Sequence, residues 1–348
     1  MDDTLYPMVD TIFDQSAIDE ITLEPSTEGF VDVVQKTIGI IKRMLKRLFE
    51  FMQEHANWLK VKAVLLENSI ATIQDNIAGK SGLLNSSLTF EISKKTELFS
   101  INGRPVAKIM DLKRQLRGYM DLMDVVYKWT TTELSMLVSR IDGLLTHIDL
   151  NHIDYLKQEL GKAIKDKGSP YLNRTLKFSS TGNSHLKTTI PYLGSVSLYI
   201  EESSKATDPN FALTRVYLSE TETSTATPKT FAFTRFPMAM TGALLDDLKV
   251  ICNKVKEVHS PRAIKARGQE YKTLVSKLER VGEALAEDAN GGNVERASLE
   301  AILDQIKTVM VWGAKPYEGV SAHALRLVGA GVMLCKQNIN GKVSTKVE

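Results

Sequence analysis

The sequence predicts an α+β fold: mainly a helical bundle with an inserted small antiparallel β-sheet. Three observations lead there. Apolar residues recur every three or four positions from Phe30 to about Ile77 and again from Val106 to Lys167. Residues 174–236 are instead rich in Thr, Val, Tyr and Phe in short alternating runs, and from Met238 onward the helical period returns. Helices, then strands, then helices is the order of segregated elements rather than of alternating βαβ units.

The chain opens on an acidic leader. Residues 1–29 carry Asp2, Asp3, Asp10, Asp14, Asp19, Glu20, Glu24 and Glu28 and no Lys or Arg, with at most a short helix around Thr11 to Ile21. From Phe30 the apolar positions Val34, Ile38, Ile41, Leu45, Leu48 and Met52 mark a helix whose other faces hold Lys42, Arg43, Lys46 and Arg47. Trp58, Val61, Val64, Leu65 and Ile70 continue the period until two glycines in "AGKSG" end it. "LTFEI" and "ELFSI" alternate and lead into the turn "NGRP", so a hairpin is expected near 88–105.

From Val106 to Lys167 no proline interrupts the helical period, and breaks are expected near Asp142-Gly143 and near Asn151. "TLKFSS", "SVSLYIEE", "ALTRVYLSE" and "KTFAFTRF" give about four strands, separated by turn residues such as "TGNS" and "TDPN". Four helical stretches follow: Leu244 to Val258, Tyr271 to Leu285, Leu299 to Val311, and Ala322 to Leu334. The expected division is therefore a leader over 1–28, a helical region over 29–173, a β-sheet region over 174–236, and a C-terminal helical region over 237–348 that packs on the first. No fixed-period repeat is present.

Composition narrows the function. A chain of 348 residues with 43% hydrophobic content can bury a large core. Cys252 and Cys335 are too few and too far apart for a disulfide framework, which suits folding in a reducing cytosol and makes the sequons at Asn85 and Asn173 chance matches. The first residues lack a basic n-region, and no run approaches ~18 apolar residues, so neither a secretory signal nor stable membrane insertion is expected. Charge is the distinctive feature: a total of +2 with −8 over residues 1–29 leaves +10 on residues 30–348. An acidic segment on a basic body either shields that body or is removed before it meets an anionic partner; an acidic end without a role is the alternative.

Templates for catalysis mostly find no match. "TGNSHLKTT" lacks the order of a phosphate loop, "EDANGGNVE" is not a dinucleotide fingerprint, and neither cysteine sits in a nucleophile motif, so no cofactor is expected. His147, Asp149 and His152 place two imidazoles near a carboxylate, but a spacing of five sets the histidines about 140° apart on a continuous helix. Only a helix break would bring them together as metal ligands. Arg174, Ser195-x-Ser197 and Glu220-x-Glu222 follow the order of the Arg, Ser and E-x-E elements of arginine-directed ADP-ribosyltransferases, which they resemble. There the arginine would hold dinucleotide phosphates and the second glutamate would stabilise an oxocarbenium charge. The three elements span only 48 residues, and a solvated hairpin tip explains "SETETSTATP" equally well.

The basic helix is open to three readings. Phe49, Phe51 and Trp58 beside its cations suit a membrane-surface helix; Lys42, Arg43, Lys46 and Arg47 suit non-specific contact with DNA phosphates; and an apolar stripe buried in a bundle with its charges in water needs no ligand.

An acidic leader, a cleavable junction and then a basic amphipathic helix is a layout that resembles the internal head, or inner core, proteins of large tailed bacteriophages. In that family a leader directs the protein into the prohead core. The head maturation protease then cuts after a glutamate preceded two positions earlier by a small or apolar residue. Ser26-Thr27-Glu28 followed by Gly29 is similar to such a site, whereas Thr22-Leu23-Glu24 is followed by Pro25, which hinders cutting. Ser298-Leu299-Glu300 before Ala301 matches too, and there a folded helix is expected to protect the bond. "ELFSINGRPVAKIMDLKRQL", residues 97–116, is also similar to these proteins, and the shared layout covers roughly the first 170 residues.

The resemblance implies a structural or ejected virion protein without catalysis, made in the bacterial cytoplasm and carried in the virion interior. Its partners would be capsid or inner-core proteins, packaged DNA through Lys42, Arg43, Lys46 and Arg47, and the maturation protease at Ser26, Glu28 and Gly29. A packaged host-directed enzyme of the ADP-ribosyltransferase type is the alternative.

Overall fold

A computed structural model of the chain describes residues 30–78, 88–146, 153–167, 170–181, 186–205, 208–221, 226–287 and 296–340. The leader lies outside them. The first described element is one 48-residue helix, α1 (Phe30–Ile77), about 72 Å long at 1.5 Å per residue. Its buried stripe, Met52, Ala56, Leu59, Ala63, Ile70 and Ile73, keeps the three-and-four spacing seen in the sequence.

After α1 come β1 (Thr89–Ile92), a 3-10 turn over Thr96–Phe99, and the strands β2 (Ser100–Ile101) and β3 (Arg104–Pro105). The expected hairpin is smaller than the sequence suggests. β2 and β3 pair around Asn102 and Gly103, both at positive φ, as a two-residue Asn-Gly turn requires. β1 does not join them. It pairs with β8 (Phe231–Thr234), where the register Phe90↔Phe233 and Ile92↔Phe231 sets Phe90 and Phe233 in contact at 5.7 Å between ring centroids. Burying those aromatic residues decides the partner, and local alternation carries no trace of it.

Helix α2 (Ile109–Lys128) runs through a π-helical turn, Trp129–Glu133, into α3 (Leu134–Thr146). The irregularity therefore falls thirteen residues before Asp142-Gly143, where a break is not observed. At the turn, Thr130 and Thr131 hydroxyls donate to main-chain carbonyls of the preceding turn, Val126 and Tyr127 for the first and Tyr127 for the second, and Trp129 is buried against Trp312. Gly143 passes within the helix at the ordinary cost of about 1 kcal/mol. Asp142 is engaged elsewhere, by Lys277 Nζ at 2.6 Å. The break expected at Asn151 lies outside the described residues. Helix α4 (Ile153–Lys167) and the short α5 (Pro170–Thr175) complete this region.

The four-stranded antiparallel sheet is a meander in the order β4 (Phe178–Ser180), β5 (Leu186–Thr189), β6 (Val196–Lys205), β7 (Asp208–Glu220). The expected four strands are thus present with one exchange: "LKTT" forms β5, and "FAFT" leaves the sheet to become β8. β7 packs against α4 and the last helix.

Helices α6 (Met238–Val258) and α7 (Pro261–Glu287) meet at a corner of two residues. Ser260 starts α7 as a side-chain cap, its Oγ accepting the Ala263 N–H, and Pro261 takes the first helical position, where no N–H is needed. The two helices expected after it are one: α8 (Arg296–Asn340), 45 residues with Pro316 inside. Proline removes one helical hydrogen bond. Contacts with α1, α2, α4, α6 and β7 hold α8 in place, and it is buried nearly all round from Tyr317 to Cys335.

The helices before the sheet pack on those after it: α1 on α6, α7 and α8, α3 on α7, and α4 on α8. Lys256 pairs with Glu67 at 2.5 Å and Gln74 donates to Asp246 across the α1/α6 contact. α8 and α6 approach so closely that a Cβ on Gly331 would stand 2.7 Å from Leu248 Cδ1.

Candidate functional site

The junction Ser26-Thr27-Glu28-Gly29 lies outside the described residues, and α1 begins at the very next position, Phe30. The second match to the cleavage pattern, Ser298 to Ala301, lies within α8, where helical backbone is a poor fit to a protease cleft.

Of the four cations singled out on α1, Lys42, Arg43 and Lys46 are exposed, and the side chain of Arg47 lies outside the described set. Lys42 forms an ion pair with Glu279 of α7. Lys46 sits 3.9 Å from Glu50 one turn on, a surface pair worth only a few tenths of a kcal/mol. These are solvated contacts that a polyanion can displace. Beyond the cations the same helix exposes Trp58, Val61, Val64 and Leu65, with Lys62 Nζ 4.5 Å from the Trp58 ring centroid.

Part of the transferase pattern lies within the described residues. Arg174 is exposed near the end of the short helix α5, four residues before β4, and its Nε donates to the Pro170 carbonyl. Ser197 is buried in β6 and shares a hydrogen bond with Thr221 at 2.9 Å. Ser195 has φ +53 in the turn before β6, and Glu220 is exposed opposite Val196. Glu222 lies outside the described residues, as do His147, Asp149 and His152. Among the described residues no group of His, Cys, Asp or Glu is placed to hold a metal ion.

Sequence reading missed a buried polar cluster at the α6–α7 corner. His259 sits between the two helices, its Nε2 2.8 Å from Ser321 Oγ on α8, and Tyr127 of α2 reaches the same hydroxyl at 2.8 Å. Tyr317 donates to the Val258 carbonyl at 2.6 Å, while the Arg267 guanidinium lies 3.9 Å from the Tyr317 ring centroid. Burial pushes the adjacent Glu318 carboxyl up to about 8, against the pull of Arg267. Burial first, then Arg267 and His55, hold His259 well below its ordinary range. All of these except His55 are inside the protein, so the cluster pins a corner rather than meeting a substrate. The sequence signal was "KPYEG", polar residues falling inside an apolar helical period.

With this geometry in place, a sequence model of the phiKZ-like phage internal head proteins matches residues 13–337. The chain belongs to that family. Its members are structural components of the phage head, which sets this internal head protein in the virion interior and makes capsid or core proteins its natural company. The match runs far beyond the first 170 residues that carried the resemblance, through the sheet and α8. No curated protein sequence matches the chain, and no solved structure does. Among the described residues, no helix is long and apolar enough to cross a membrane.

Proposed function

We propose that this internal head protein is a non-enzymatic packaging component, made in the bacterial cytoplasm with an acidic leader that the head maturation protease removes after Glu28. The body then lies against packaged DNA and neighbouring core proteins. One observation carries the reading: the charge step at Gly29, which turns a precursor of net +2 into a body of net +10. In a family of the head interior, the abundant polyanion is the packaged genome, and a basic body binds it through phosphates without reading sequence. Lys42, Arg43 and Lys46 offer exposed charge for that contact, and the ion pairs of Lys42 and Lys46 are solvent-exposed.

The test compares residues 1–348 with residues 29–348 in a filter-binding titration of double-stranded DNA over 50 to 300 mM salt. The shorter chain should bind weakly, without sequence preference and with a steep negative dependence on log salt, and the full chain should bind less. Equal binding by both, or no binding by the shorter chain at low salt, would refute the reading.

A further inference from the structure

The face of α1 opposite its packed stripe is built in two halves. Eighteen residues make five helical turns, so Arg43 stands directly above Val61 and Lys46 above Val64 along the helix. Arg43 and Lys46 are exposed in the first half, with Lys42 on its edge toward α7, paired with Glu279. In the second, Val61 is 59% and Leu65 55% exposed, with Trp58 and Val64 beside them at 38% and 39%. Trp58, Val61 and Leu65 are spaced i, i+3, i+7, the seam of a helix that expects an apolar partner. Within the fold α1 meets α6, α7 and α8 through the other side, along Leu59, Ala63, Ile70 and Ile73.

We propose that residues 1–28, while attached, lie back along this face of α1 and are its cover until cleavage. The inference rests on the reading of residues 1–28 as a removable leader and names what the leader binds. Charge favours it: the leader has eight acidic groups and no basic ones, and Arg43 and Lys46 stand at the near end of the face, with Glu50 and Glu54 as the acids between them and the apolar seam. Apolar content favours it as well, since Leu5, Tyr6, Val9, Ile12, Phe13, Ile18 and Ile21 are interspersed with those acids. The lengths agree. Val61 lies about 47 Å along α1 from Phe30, and a chain of that many leader residues can extend to about 90 Å. The family match begins at residue 13, so residues 13–28 of the leader belong to the shared sequence. Cleavage after Glu28 would release a short acidic peptide and bare the cations and the apolar seam together.

Tryptophan fluorescence reads the contact directly. Trp129 and Trp312 are 0% and 2% exposed, which leaves Trp58 as the tryptophan that a neutral quencher reaches. Acrylamide quenching should be at least about twofold stronger in residues 29–348 than in the full chain, and a Trp58→Phe variant should abolish the difference. A peptide of residues 1–28 added to the shorter chain should restore protection, and salt should weaken it. In the full chain, V61E/L65E places acids against the acidic leader on an already exposed face. That variant should bring Trp58→Phe-sensitive quenching up to the level of the truncated chain without changing helicity. Equal quenching in all forms would overturn the proposal, and protection that rises with protein concentration would give the face to a second copy instead. None of this requires cleavage or virions, so its failure is separate from failure of the packaging reading.

Discussion

His259 Nε2 lies 2.8 Å from Ser321 Oγ, and the other bonds of that hydroxyl settle which ring nitrogen holds the proton. Ser321 Oγ donates its one proton to the Tyr317 carbonyl at 2.8 Å. It must therefore accept from both Tyr127 and His259. His259 is then the neutral Nε2–H form, and its bare Nδ1 has no hydrogen-bond partner among the described residues. Protonating Nδ1 would bury an unpaired cation whose ring already meets Tyr317 at 4.4 Å, beside the Arg267 guanidinium on the same tyrosine.

Stability should consequently peak near neutrality. His259 and His323 both have depressed folded-state values, His323 down to about 4, so the unfolded chain binds their protons first. Their contribution is full above about pH 6.5 and is lost as pH falls, about 1.4 kcal/mol per pH unit for each histidine in the titrating window. Glu318 acts in the opposite sense: raised to about 8, it favours the fold at low pH and loses that contribution as pH rises from about 4.5 to 8. The net expectation is a gain in stability from pH 5 to 6.5, where the histidines outweigh the one carboxyl, and a decline from there to 8. Urea midpoints across that range measure it, and E318Q should flatten the alkaline side. A profile flat from pH 5 to 8 would show that these groups are solvated.

Gly194→Ala should be severely destabilising. Gly194 has φ +81, and a Cβ there would stand 2.5 Å from His323 Cε1, whose ring donates through Nε2 to the Leu193 carbonyl at 2.8 Å. Left-handed strain and overpacking together cost about 2–4 kcal/mol. Gly118→Ala, where nothing stands within 4 Å of the new Cβ, should be neutral or stabilising by thermal melting.

The two thiols should be inert in the native protein. Cys252 and Cys335 are both fully buried and burial pushes each up to about 12, so almost no thiolate exists at pH 8. A colourimetric thiol titration should register neither in buffer and both in 6 M urea. Rapid reaction of either in buffer would mean that α6 or α8 opens readily.

What the sequence made legible was whatever is written locally. The stripe of α1, the Asn102-Gly103 turn, the mainly helical fold with its small antiparallel sheet and the charge step at Gly29 each need only neighbouring residues. What it hid depends on distant ones. β1 reads as a hairpin strand until Phe90 finds Phe233. Leu299 to Val311 and Ala322 to Leu334 read as two helices, but α8 runs through Pro316 between them, packed on α1, α2, α4, α6 and β7. Asp142-Gly143 reads as a break because nothing nearby announces Lys277. The corner cluster left only the trace in "KPYEG", because His259, Arg267 and Glu318 are surface residues by type and it is burial that sets them apart.

The mass of this protein in purified virions bears most directly on whether it is a processed packaging component. Intact-mass spectrometry should find a chain that begins at Gly29, and a phage carrying Glu28→Gln should retain the leader. Particles that contain the chain with Met1 intact would contradict processing, and particles that lack the chain would contradict packaging itself.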